Sequence, residues 1–129
     1  MAVDPLQSVL IVDDFRTMTA IIRRLLLEIG FSDVDDAPDG GGALEKLREK
    51  SYKLVISDWE MKPMTGPELV QAIRKTPDRA NTRIILMTAY KFAPEQTKLA
   101  AADGYLLKPF SAAVLKSKIE EVLSMSAAK

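Results

Sequence analysis

The sequence predicts an α/β protein in which helices flank a five-stranded parallel sheet. Short, unbroken apolar runs recur along the chain, as in Val9-Leu10-Ile11-Val12, Leu54-Val55-Ile56 and Ile84-Ile85-Leu86-Met87. Such runs mark strands buried on both faces. Between them lie stretches of helical periodicity, and the two kinds of element alternate. Each right-handed crossover then returns the chain to start another parallel strand.

The first strand is Val9 to Val12, and the first helix follows it. Met18, Ile21, Ile22, Leu25, Leu26 and Ile29 recur every three or four positions and form one amphipathic face, with Gly30 as a stop signal. A weaker, more polar strand centres on Val34 and leads into a Pro38-Asp39-Gly40 turn. The next helix, from about Gly41 to Lys50, is poorly specified because consecutive glycines open it. Leu54 to Ser57 is the third strand. Thr65-Gly66-Pro67-Glu68 then has the spacing of a capping box for a helix with Leu69, Val70 and Ile73 inward. Ile84 to Met87 is the fourth strand, and a short helix is expected from Pro94 to Ala102. Gly104 to Leu107 is the fifth strand. The last helix runs from about Ser111 to Met125, with Leu115, Ile119, Val122 and Leu123 on one face.

Composition narrows the chemistry. At 129 residues the chain supports one domain, read over 1–129 with a core from about 8 to 125 and no output domain. The absence of cysteine excludes disulfides and zinc–thiolate sites. The absence of histidine excludes Ser-His and Cys-His catalysis and phosphate carried on the chain's own imidazole. Any bound metal must take oxygen ligands, which points to hard cations such as Mg²⁺. Eighteen basic side chains balance 18 acidic ones, which argues against a nucleic-acid partner. No apolar run approaches the roughly 18 residues of a membrane span, and Asp4 and Pro5 break any signal-peptide pattern. The expectation is a cytoplasmic protein with no membrane partner.

The chemistry-bearing residues sit where the strands end. The first strand runs into Asp13-Asp14, the third into Asp58, the fourth into Thr88 and the fifth into Lys108. In open parallel sheets ligands bind at the carboxyl ends of the strands. Each residue alone has an ordinary use: Asp13-Asp14 as a helix cap, Thr88 as a strand terminus, Lys108 as a solvated turn residue. Together on one edge they read as a site. Two like charges 4 Å apart repel by about 4 kcal/mol at an effective dielectric of 20. Three gathered carboxylates therefore call for raised pKa values or a cation, and a phosphoryl group would complete such a site against Lys108 and Thr88.

Ile11-Val12-Asp13-Asp14, Ile56-Ser57-Asp58-Trp59, Met87-Thr88-Ala89 and Leu107-Lys108-Pro109-Phe110 resemble the four signature segments of bacterial response-regulator receiver domains. The resemblance covers nearly the whole chain and is nearest to the chemotaxis-type, CheY-like single-domain regulators, as in Asp13-Asp14-Phe15. It implies a flavodoxin-like (βα)5 doubly wound sandwich with strand order 2-1-3-4-5. It also implies a two-component signalling role, with Asp58 as phosphoacceptor for a partner histidine kinase or histidine phosphotransfer protein. Asp14, Asp58 and the backbone carbonyl of Glu60 would coordinate Mg²⁺, with Asp13 assisting. Lys108 would pair with the phosphoryl oxygens, Thr88 would shift to hydrogen-bond them, and small Ala89 would leave access. Tyr105 matches an aromatic switch position on the face built by the last strand and the last two helices, where a downstream protein target would bind. No catalysis beyond weak self-dephosphorylation is implied.

Some positions depart from the family pattern. Lys62 stands where proline usually follows the acceptor, with Pro63 next, and acidic Glu60 occupies a position that tunes phosphoryl lifetime in the family. The stretch from Thr88 to Lys108 is short, so a truncated fourth helix is expected, with Phe92 and Pro94 giving an idiosyncratic output surface. Two other readings compete. A constitutive interaction module would keep the fold and ignore phosphate. A haloacid-dehalogenase-like phosphatase is faintly matched by Asp58-x-Glu60, although that group typically has a second aspartate at the position of Glu60 and a longer chain.

Overall fold

The computed structural model describes residues 7–76, 82–89 and 101–124. Strands β1 (Ser8–Val12), β2 (Asp33–Ala37), β3 (Leu54–Asp58), β4 (Arg83–Thr88) and β5 (Gly104–Leu107) form one sheet in the order β2-β1-β3-β4-β5. Every pairing is parallel. The helices among the described residues are α1 (Arg16–Ile29), α2 (Gly40–Glu49), α3 (Gly66–Arg74) and α4 (Ala112–Leu123). This is the flavodoxin-like order expected. The short helix expected from Pro94 to Ala102 lies almost wholly outside the described residues, as do Phe92 and the Met125 end of the last helix.

Side chains alternate across each strand, and each face buries its own half of the apolar runs. Val9 and Ile11 of β1, Leu54 and Ile56 of β3, and Ile85 and Met87 of β4 share one core with Ile22 and Leu26 of α1 and Leu115, Ile119 and Val122 of α4. Leu10, Val12, Val55, Ile84 and Leu86 point the other way, against Ala43 and Leu47 of α2 and Leu69, Val70 and Ile73 of α3. Among the described residues α1 and α4 cover one face and α2 and α3 the other, so the central strands β1, β3 and β4 are apolar on both sides and their runs are unbroken. Each fully buried Val, Leu or Ile contributes roughly 1.5–3 kcal/mol.

The helix boundaries follow local chemistry. Thr65 and Glu68 form the expected capping box: the Glu68 amide donates to Thr65 Oγ1 at 3.3 Å, and the Thr65 amide donates to Glu68 Oε1 at 2.9 Å. Gly30 closes α1 with φ of 130°, a conformation that L side chains rarely adopt. The triple glycine does not stop α2, which begins at Gly40 because Asp39 Oδ1 accepts from the Gly42 amide at 2.8 Å. Ser111 caps α4 by accepting from the Val114 amide at 3.2 Å.

The polar strand β2 is held by partners from other elements. Ser8 Oγ donates to Asp33, Lys50 Nζ donates to Asp33 at 2.8 Å and Asp35 at 3.1 Å, and the Tyr52 hydroxyl donates to Asp35 at 2.6 Å. Arg23 reaches across from α1 to Asp36 and to the carbonyl of Val34. No described helix is long and apolar enough to cross a membrane.

Candidate functional site

Parallel register brings the strand ends level. Val12 pairs with Ser57, Asp58 with Met87 and Thr88 with Leu107. The ladder runs one step past the strands: the Asp13 amide donates to Ala37 O, Trp59 to Met87 O, and Lys108 to Thr88 O at 2.7 Å. Backbone hydrogen bonds thus fix the positions from which Asp13, Asp58 and Lys108 extend. Asp58 is the last residue of β3, not the first of the loop beyond it.

Asp13, Asp14 and Asp58 each place one carboxylate oxygen within 4.8 Å of the others. Lys108 Nζ donates to Asp58 Oδ1 at 3.0 Å. Asp13 and Asp58 are buried, while Asp14 is exposed. Asp13 Oδ1 accepts from the Phe15 amide at 2.9 Å, but its Oδ2 is buried without a hydrogen-bond partner. A buried, unsatisfied carboxylate oxygen costs on the order of 1–3 kcal/mol. Burial pushes the Asp13 carboxyl up to about 6, and the charge of Asp58 adds to the rise against the Phe15 hydrogen bond. Asp58 is also raised, chiefly by burial, with Lys108 opposing.

These features fit a hard divalent cation. The cluster offers only oxygen donors, one of them an orphan aimed at no protein group, and a cation would remove the mutual repulsion of the acids.

Gly66 forms the wall behind Asp58. A Cβ there would lie 2.4 Å from the Asp58 carbonyl and 2.9 Å from Trp59 Cα, so only glycine lets α3 start this close to β3. The peptide bonds Lys62–Pro63 and Lys108–Pro109 are cis. In front lies a cavity of about 460 Å³ lined by Asp14, Trp59, Glu60, Met61, Lys62 and Thr65.

The structure brings Asp13, Asp14, Asp58 and Lys108 together as the sequence indicated. Thr88 is fully buried at the end of β4 and its hydroxyl donates to Glu60 Oε2 at 2.8 Å. Glu60, expected to offer its backbone carbonyl to a metal and to carry its side chain at a position that tunes phosphoryl lifetime, thus has that side chain on Thr88. Ala89 follows Thr88 into an exposed position. Tyr105 is half-buried, its hydroxyl accepting from the Ala102 amide at 3.2 Å and its ring 6.4 Å from that of Trp59. The Trp59–Tyr105 pairing was not foreseen, since nothing local links the end of β3 to β5.

A doubly wound sheet with an acid trio and a lysine at its carboxyl edge is the arrangement that the resemblance to receiver domains implies. The model of the response regulator receiver domain matches residues 9–120, and the chain belongs to that family. It is 39% identical over 117 residues to the chemotaxis protein CheY of Pseudomonas aeruginosa, covering 89% of this chain and 94% of that protein. The chemotaxis protein CheY-3 of Vibrio cholerae is 36% identical, with 89% and 90% covered. Among solved structures, CheY4 of Vibrio cholerae superposes with a TM-score of 0.83 at 32% identity, over 90% of this chain and 98% of that one. The response regulator TrrA of Thermotoga maritima, solved in complex with Mg²⁺ and BeF, gives 0.81 at 34% identity, over 91% and 99%. In sequence and in fold the chain is a CheY-like receiver domain.

Proposed function

We propose that this receiver domain takes a phosphoryl group onto Asp58 from a phosphohistidine of a partner kinase or phosphotransfer protein, and so switches a protein-binding surface. The observation that carries the reading is the Lys108 ammonium on the carboxylate of Asp58, beside two further acids. In the transfer, a carboxylate oxygen of Asp58 attacks phosphorus, and an O–P bond forms as the N–P bond breaks. The electron pair of that bond stays on the departing imidazole nitrogen. The donor imidazole has to come from another protein, because this chain has no histidine.

Asp13, Asp14, Asp58 and the backbone carbonyl of Glu60 would hold Mg²⁺. When bound, that ion supplies positive charge against the oxygens of the transferring group. Lys108 neutralises a second side of the same group, and Thr88 supplies a hydroxyl to its oxygens. The phosphorylated side chain carries about −1.5 to −2 charges and three strong acceptor oxygens. Drawing Thr88 and Lys108 toward them biases the surface that includes Ala89 and Tyr105, by as much as the difference in contacts between the two states.

Incubation with acetyl phosphate and Mg²⁺ should add the mass of one phosphoryl group to the intact protein and none to Asp58→Asn. Steady turnover of p-nitrophenyl phosphate would instead mark a phosphatase. Partner binding that ignores both phosphorylation and Asp58→Ala would mark a constitutive module.

A further inference from the structure

A threonine hydroxyl carries one proton and donates to one acceptor at a time. Here that proton points to Glu60, with Thr88 Oγ1 to Oε2 at 2.8 Å. A carboxylate and a phosphoryl group are both acceptors with no proton to return, so they compete for it. We propose that Glu60 is a positioning residue: its carboxylate latches the Thr88 hydroxyl in the unphosphorylated state, and a phosphoryl group on Asp58 must break that latch. The proposal rests on Asp58 being the acceptor.

The geometry is asymmetric in a way that suits a latch. Thr88 is fully buried at the end of β4, bounded by the β3 and β5 ladders, so its hydroxyl can only turn or shift slightly. Glu60 is exposed and reaches in from the loop after β3, beside the cavity of about 460 Å³ that it helps to line. Releasing the proton sends the carboxylate into water, where its charge is fully solvated, and leaves the core packing unchanged. The hydrogen bond joins residues 28 apart in sequence, across adjacent strands. It therefore ties the loop after the acceptor to the strand end whose movement would carry the signal. Opening it forfeits one charge-assisted hydrogen bond, a strong class of contact.

The test uses the full chain with beryllofluoride and Mg²⁺ as the phosphoryl mimic, its bound fraction read from ¹⁹F resonances. Glu60→Ala should bind the mimic about tenfold more tightly than wild type, equivalent to ~1.4 kcal/mol. Glu60→Gln removes the charge but keeps an acceptor, and should fall between them. In a Thr88→Val background, which lacks the contested proton, Glu60→Ala should change affinity less than about twofold. Equal tightening in both backgrounds would reduce Glu60 to simple charge repulsion and overturn the latch. If Thr88→Val does not fold, the Gln variant decides: Gln equal to Ala overturns the latch, and an intermediate Gln supports it. A wild-type protein that binds no mimic overturns the acceptor reading itself, whereas normal wild-type binding without coupling overturns only the latch.

Discussion

At the amino end of the sheet, Asp33 and Asp35 extend from β2 toward Lys50, Tyr52 and Ser8, and both carboxyls lie below their ordinary pKa. For Asp33 the main cause is the hydrogen bond from Lys50, followed by that from Ser8; for Asp35 it is the hydrogen bond from Tyr52. At the carboxyl end, Asp13 and Asp58 are pushed the other way, chiefly by burial. Residue type and sheet are the same at both ends; the difference is in partners. The amino end supplies donors from neighbouring elements for its acids, whereas the carboxyl end gathers three acids around one lysine and leaves Asp13 Oδ2 without any. A cluster kept short of cations stores instability that a divalent metal can relieve. This is how a functional site differs from a structural one built of the same residues.

The comparison can be broken at its frame. Gly66→Ala drives a Cβ into the Asp58 carbonyl and should destabilise the fold by about 3 kcal/mol, read as a lower urea midpoint. Neither Asp33 nor Asp35 at the amino end has a glycine packed so closely against its backbone.

It can be sharpened at Asp13. Asp13→Asn should stabilise the metal-free protein by about 2 kcal/mol at pH 7, as one charge leaves the cluster. The folded pKa of about 6 lies above the ordinary 3.8, so the folded chain holds this proton more tightly than the unfolded chain does. The wild-type penalty is therefore complete above about pH 6 and fades as pH falls toward 3.8, and the advantage of the Asn variant should fade with it. Adding Mg²⁺ at pH 7 should reverse the order, wild type gaining more in thermal midpoint than the variant.

The amino end should behave in the opposite sense. Tyr52→Phe should cost about 1 kcal/mol at pH 7 and be indifferent to Mg²⁺. The folded pKa of Asp35 is depressed, so this contribution is present above about 3.8 and lost as pH falls through the folded value. Urea midpoints at pH 7 and pH 3 would show the gap between wild type and Tyr52→Phe closing in acid.

Much of this protein was determined by local sequence. The unbroken apolar runs, the capping box at Thr65 and the stop at Gly30 each report burial or end chemistry over a few residues, and all three hold in the structure. Asp13, Asp14, Asp58 and Lys108 were legible as a group because alternating strands and helices place every strand's carboxyl end on one edge. Tertiary structure decided the rest. The polarity of β2 makes sense only once Arg23, Lys50 and Tyr52 arrive from other elements. The Thr88–Glu60 bond and the Trp59–Tyr105 pair left no trace in sequence spacing. Periodicity records which side of an element is covered. Which two distant side chains meet depends on strand register and loop path, and these are set by the packing of the whole molecule.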